Sequence, residues 1–123
     1  MFQINFNDIS SAEMSLLPKM LQIEILMEFQ VLTPDFINEH PDRFGTLNRE
    51  DRTLFRYRTN EYRIYFEKSD KGLQIHRVLH KNTMKDFLFR TNLPLAEDEI
   101  LQDHPGFWEL IDSPQPPVPA DDE

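Results

Sequence analysis

The sequence predicts an α+β fold in which an N-terminal strand and a helix hairpin pack on a small antiparallel sheet, with helices at the C-terminal end. Three observations carry this. Phe2-Gln3-Ile4-Asn5-Phe6 alternates apolar and polar side chains, as a half-buried strand does. Leu16, Met20, Ile23 and Met27 recur at helical spacing. Three segments with period-two alternation, residues 54–58, 62–68 and 73–80, are joined by turns short enough to require antiparallel neighbours.

After the first strand, Asp8 and Ser10 offer side-chain oxygens that can cap a short helix running through Leu17. Pro18 suits the first turn of a second helix ending near Gln30, since its missing N–H is not needed there. That helix is apolar on more than one side, because Leu21, Ile25, Leu26 and Phe29 join the stripe. Such a helix is either sandwiched or lacks a partner. Residues 34–50 hold Pro34, Pro41 and Gly45 among polar residues and read as an irregular connection with one helical turn. Thr59-Asn60-Glu61 and Ser69-Asp70-Lys71-Gly72 are the two turns between the three strands. Asn82 or Thr83 caps a helix through Arg90, and Glu97 to Asp112 forms an acidic helix with Phe107, Trp108 and Leu110 as docking groups. The expected organisation is an α+β domain over residues 1–92, an acidic helical extension over 93–112, and a disordered Pro-rich acidic tail over 113–123.

The chain has no cysteine, which removes disulfides and thiolate metal sites. No apolar run approaches a membrane span, and residues 1–20 lack the form of a secretion signal. The cytoplasm is the expected location, with no membrane partner. His40, His76, His80 and His104 are scattered, so neither a metal nor another cofactor is expected. The net charge of −9 conceals a strong asymmetry. Residues 49–90 carry eleven basic and six acidic side chains, giving +5, whereas residues 91–123 carry nine acidic and none basic, giving −9.

Strand alternation puts Arg56 and Arg58 on one face, with Arg63 and Tyr65 beside them on the next strand and His76 and His80 on the third. Lys81 and Lys85 belong to the rim, and Arg77 falls on the apolar side against the pattern. Guanidinium groups hold phosphate oxygens, histidine can carry protons near neutral pH, and tyrosine can stack on a base. A set of this kind suits RNA cleavage by a neighbouring 2′-hydroxyl. Exposed Arg and Lys on a sheet also serve simply to keep strand edges soluble.

The run Leu54-Phe55-Arg56-Tyr57-Arg58-Thr59-Asn60-Glu61-Tyr62-Arg63-Ile64-Tyr65-Phe66, followed after a glycine turn by Val78-Leu79-His80-Lys81, resembles the core of the RelE/ParE toxin superfamily. The upstream strand and helix pair and Gly45-Thr46-Leu47 agree with it, and the resemblance covers roughly residues 1–90. It implies a RelE-like toxin of a toxin–antitoxin system, an endoribonuclease that cleaves mRNA on the ribosome and represses translation. An antitoxin protein would be its partner, with the ribosome and mRNA as further partners. A ParE-like gyrase inhibitor and a non-catalytic protein-binding module are the alternatives. By match, Arg63 would contact the scissile phosphate, with Arg56 and His80 catalytic beside it. Arg58, Tyr65, His76, Lys81 and Lys85 would bind RNA. The chain departs from the family in Lys81-Asn82-Thr83-Met84, where a further arginine is expected, and in the acidic extension from Glu97 onward. Opposite charges in adjoining segments would allow that extension to fold across the basic face.

Overall fold

The computed structural model describes residues 3–59, 61–70, 72–83 and 94–112. The elements run β1 (Ile4–Phe6), α1 (Asp8–Ser15), α2 (Lys19–Gln30), α3 (Pro34–Glu39), β2 (Phe44–Arg49), β3 (Arg52–Arg58), β4 (Tyr62–Ser69), β5 (Gly72–His80), α4 (Pro94–Gln102) and α5 (Pro105–Asp112). The strands form one five-stranded sheet in the order β1-β5-β4-β3-β2. β2 to β5 are antiparallel neighbours, and β1 joins the β5 edge in parallel, pairing Ile4 with Leu73 and Phe6 with Ile75. The α+β class is as expected, but the sheet is mixed and has one strand more at its far edge.

That extra strand, β2, lies in the segment expected to be irregular. Gly45 and Asn48 disguise a six-residue strand that pairs along its whole length with β3, from Phe44–Tyr57 to Arg49–Arg52. It buries only Phe44 and Leu47, so its apolar content is too thin to reveal period two. The N-cap of α1 is Asn7, not Asp8 or Ser10. Asn7 Oδ1 accepts from Ser10 N at 2.6 Å, and Ser10 Oγ accepts from Asn7 N at 3.1 Å, closing a capping box. The acidic helix expected over 97–112 is two helices, broken at Asp103-His104, with Pro105 opening the second. Residues 81–83 continue from β5 as helix; the rest of the helix expected through Arg90, and the Pro-rich tail, lie outside the described residues.

Glycine is required where β1 meets β5. Gly72 has φ 120°, and a Cβ there would run into the backbone carbonyl of Gln3, which accepts from Leu73 N at 2.8 Å.

The sheet carries a core on each face. On one side α1 to α3 cover Ile64, Phe66, Ile75 and Val78, with Met14, Ile25 and Phe29 supplied by the helices and Leu17 by the link between α1 and α2. Phe29 sits edge-on to Tyr57 at 5.3 Å and against Phe66 at 5.0 Å. On the other side α4 and α5 bury Leu101, Phe107, Trp108 and Ile111 against Leu47, Leu54, Tyr65 and Leu79. Among the described residues no helix is long and apolar enough to cross a membrane.

Burial pushes the Tyr57 hydroxyl up to about 12, and the Glu28 carboxylate beside it adds to the shift. A raised pKa means that the native state holds the proton more tightly than the unfolded chain, so the stability Tyr57 contributes is whole below pH 10. It is lost as pH climbs from there towards 12. Urea midpoints measured across that range should fall with a slope that is shallower in Tyr57→Phe, the remainder coming from the other buried phenol, Tyr65.

Candidate functional site

The basic residues of β3 to β5 do share a face, but not the set that alternation alone suggests. Arg56 pairs with Tyr65 and Tyr65 with Arg77, forming one row across three strands; Arg58, Arg63 and Leu79 form the next. Between the pairs Tyr65–Arg77 and Phe66–Ile75 the register slips by one residue, leaving His76 as a β-bulge. A bulge adds one residue to one strand and reverses its alternation beyond that point. Arg77 and Leu79 therefore stand on the basic face, while Val78 and His80 stand on the face of α1 and α2. This removes the anomaly of Arg77, and it separates His80 from Arg56 and Arg63 by the thickness of the sheet.

The basic face is not open. α4 lies over it and presents consecutive carboxylates. Asp98 takes Arg56 in a two-point grip, Nε to Oδ1 at 3.1 Å and Nη2 to Oδ2 at 2.8 Å, while Arg56 Nη1 donates to the carbonyl of Arg43 at 3.0 Å. Glu97 takes Arg63, with Nε to Oε2 at 2.9 Å, and Arg63 Nη1 donates to the carbonyls of Thr59 and Tyr62. Arg56 is 2% exposed and Arg63 9%. These are desolvated, charge-assisted pairs of the strong kind.

Gly45 of β2 makes the Asp98 grip possible. A Cβ at that position would run into both the Arg56 guanidinium and the Asp98 carboxylate. Gly45→Ala should therefore loosen this pair, with an overpacking cost of about 1–3 kcal/mol in a denaturant titration.

Tyr65 is fully buried against Phe107, 5.0 Å between ring centres, and cannot stack on a base. Burial, then the nearby Glu97 and Asp98 charges, hold its hydroxyl well above the usual phenol range. Arg58 is half-buried, and its guanidinium pKa is lowered by burial and then by the positive charge of Arg56. His76 leaves its bulge to bond Glu67 at 2.7 Å, and Glu67 also accepts from Arg52 at 2.8 Å. Burial alone would raise the Glu67 carboxyl, but these two donors bring it below its ordinary value. Arg52 continues to Asp112 of α5 at 2.9 Å and lies over the Trp108 ring at 5.4 Å.

His80 borders a cleft of about 260 Å³ on the opposite face, together with Leu17, Tyr62 and Val78. Its Nδ1 accepts from Asn82 N at 3.0 Å, which leaves the proton of the neutral ring on Nε2, facing Glu61 at 3.3 Å. The side chain of Lys81 is exposed, and its backbone N–H is tied to the Glu61 carbonyl at 2.7 Å. Lys85 lies outside the described residues.

The expectation of one uncovered face bearing Arg56, Arg58, Arg63, Tyr65, His76 and His80 is therefore corrected. The structure brings Arg56, Arg58, Arg63 and Tyr65 together under α4 and α5, places His76 at their edge, and puts His80 behind the sheet. Sequence reasoning missed Glu13 of α1. It holds the fully buried Arg77 through Nε and through Nη2 at 2.6 Å, and also accepts from Val78 N at 2.8 Å. Nothing local marks Glu13 among the other helical carboxylates. Glu97 and Asp98 were marked only as part of an acidic segment.

No family model matches this chain, and no curated protein matches it. Among solved structures it is similar to a chain of the toxin–antitoxin complex RelBE2 from Mycobacterium tuberculosis, at 23% identity and a TM-score of 0.45, over 64% of this chain and 96% of that one.

Proposed function

We propose that this chain is a RelE-like toxin-type domain that acts as a protein-binding module, with the surface suited to phosphate held shut by its own α4. The observation that supports this reading is the occupation of Arg56 and Arg63 by Asp98 and Glu97. A phosphodiester would have to displace two carboxylates from buried guanidinium groups. His80, the proposed proton carrier, stands behind the sheet, so electrostatic stabilisation and proton transfer are not on one side of any bound phosphate. The working partner in this reading is a protein of the antitoxin kind.

The second reading keeps the ribonuclease. Arg56, Arg58 and Arg63 remain neighbours on two strands, and release of α4 would present three guanidinium groups to one RNA backbone. In that case the ribosome and mRNA are the targets, and another group takes the proton.

The test uses the full chain with Glu97→Gln and Asp98→Asn together, which keep shape and remove charge; circular dichroism confirms folding. Induction of the wild type should leave growth and ribosome-bound mRNA intact. The double variant should bind single-stranded RNA more tightly, in a salt-dependent way, and still not cut it. Growth arrest with mRNA cleavage by the wild type, abolished by Arg63→Ala, would overturn the protein-binding reading in favour of the nuclease.

A further inference from the structure

α2 has two apolar sides. Ile25 and Phe29, each 1% exposed, enter the core, while half a turn away Met20 is 70% exposed, Ile23 46% and Met27 63%. Leu16 just before the helix is 81% exposed and Val31 just after it 58%. A continuous stripe of five large apolar side chains reaches the scale of a few hundred Å² at which surface patches mark interaction sites.

The spacing of the stripe specifies what fits it. Met20 and Met27 are seven residues apart with Ile23 between them, the two inward positions of a heptad seam; exposed Leu16 lies in the link before the helix, and exposed Gln30 follows. Lys19 and Glu24 then flank the seam on opposite sides, five residues apart, and both are exposed. Among the described residues neither forms an ion pair. In a parallel two-stranded arrangement, residues so placed meet across the seam, one from each helix. Two identical copies would thus join Lys19 to Glu24 of the partner subunit, twice, while Met20, Ile23 and Met27 each meet their own counterpart. In an antiparallel arrangement like flanks face each other, and Glu24 would meet a second Glu24. The stripe is complementary to itself in one direction only.

We propose that the exposed face of α2 is a homodimer interface, in which a second copy packs parallel and in register along Leu16, Met20, Ile23 and Met27. α2 has twelve residues, so the seam is short and the association is weak. The dimer populates at high concentration and dissociates on dilution.

Sedimentation equilibrium of the full chain, carried up to about 1 mM, reads the association directly. A concentration-dependent dimer is expected, and Ile23→Glu should abolish it. Lys19→Glu and Glu24→Lys should each weaken it roughly tenfold by setting like charges across both flanks, and the two together should restore it. The chain has no cysteine, so Met20→Cys gives a single thiol. In the parallel register it should oxidise to a covalent dimer. All these side chains except Lys19 and Glu24 are apolar and all are solvent-exposed, so circular dichroism should show the native fold in each variant. A monomer at every concentration, or a dimer indifferent to Ile23→Glu, would sink the interface. A dimer in which Met20→Cys does not cross-link, or in which the charge swap fails to restore affinity, would overturn the parallel register.

Discussion

Replacing Glu13 with alanine should cost about 3–5 kcal/mol of folding stability, because removing one partner strands the other as an uncompensated buried charge. Arg77 is 0% exposed, and three of its contacts go to the Glu13 carboxylate; among the described residues only Nη1 has another acceptor, the carbonyl of Leu110 at 2.9 Å. The same carboxylate accepts the backbone N–H of Val78. One side chain therefore fastens α1 to β5, and through Arg77 to α5. The urea midpoint is the measurement, and a loss below about 1 kcal/mol would mean that water reaches Arg77 far more freely than its burial implies. A compensating pair, Glu13→Leu with Arg77→Met, should recover most of the loss, since an apolar pair of similar size needs no desolvation of charge.

Trp108→Ala should be comparably severe, about 3–5 kcal/mol, as expected for emptying the site of the largest core side chain. Trp108 is 1% exposed, packs beside Phe107 at 6.0 Å, and donates from Nε1 to the carbonyl of Gln102 at 3.0 Å, bracing α5 against α4. Arg49 and Arg52 lie over its ring at 5.7 and 5.4 Å, so the guanidinium groups of the β2–β3 hairpin lose a partner as well. Loosening α5 should in turn loosen α4, with its grip on Arg56 and Arg63. Trp108→Ala should therefore raise the salt-sensitive affinity for single-stranded RNA while it lowers the unfolding midpoint. A stability loss with no change in RNA affinity would show that α4 keeps its place without α5.

The parts of the fold that were legible in the sequence are those whose apolar spacing is regular. β4 alternates Tyr62, Ile64 and Phe66 without interruption, and the structure places these side chains on the core face with α2. The two-sided character of α2 was visible for the same reason. β2 was not visible, because an edge strand with a glycine and exposed polar positions carries too few buried residues for a period to emerge. The arginines were correctly grouped on β3 and β4, where the alternation runs unbroken. The error lay with His80: alternation was carried through β5, although Arg77 on the apolar side was the mark that an extra residue had reversed it. Exposure was misread for another reason. Neither Arg56 nor Arg63 says locally that a carboxylate from more than thirty residues away will cover it; only the opposed charges of the two segments hinted at the pairing.

The slip at His76 divides β5 into two stretches of opposite parity. From Leu73 to Ile75 odd-numbered residues belong to the layer beneath α1 and α2; from Arg77 onward that layer takes the even ones. A relative lacking this single residue would keep each later side chain on the layer it occupies here, but one position earlier in its own count. Alignments drawn through here without a gap would thus assign inside and outside wrongly for every residue that follows.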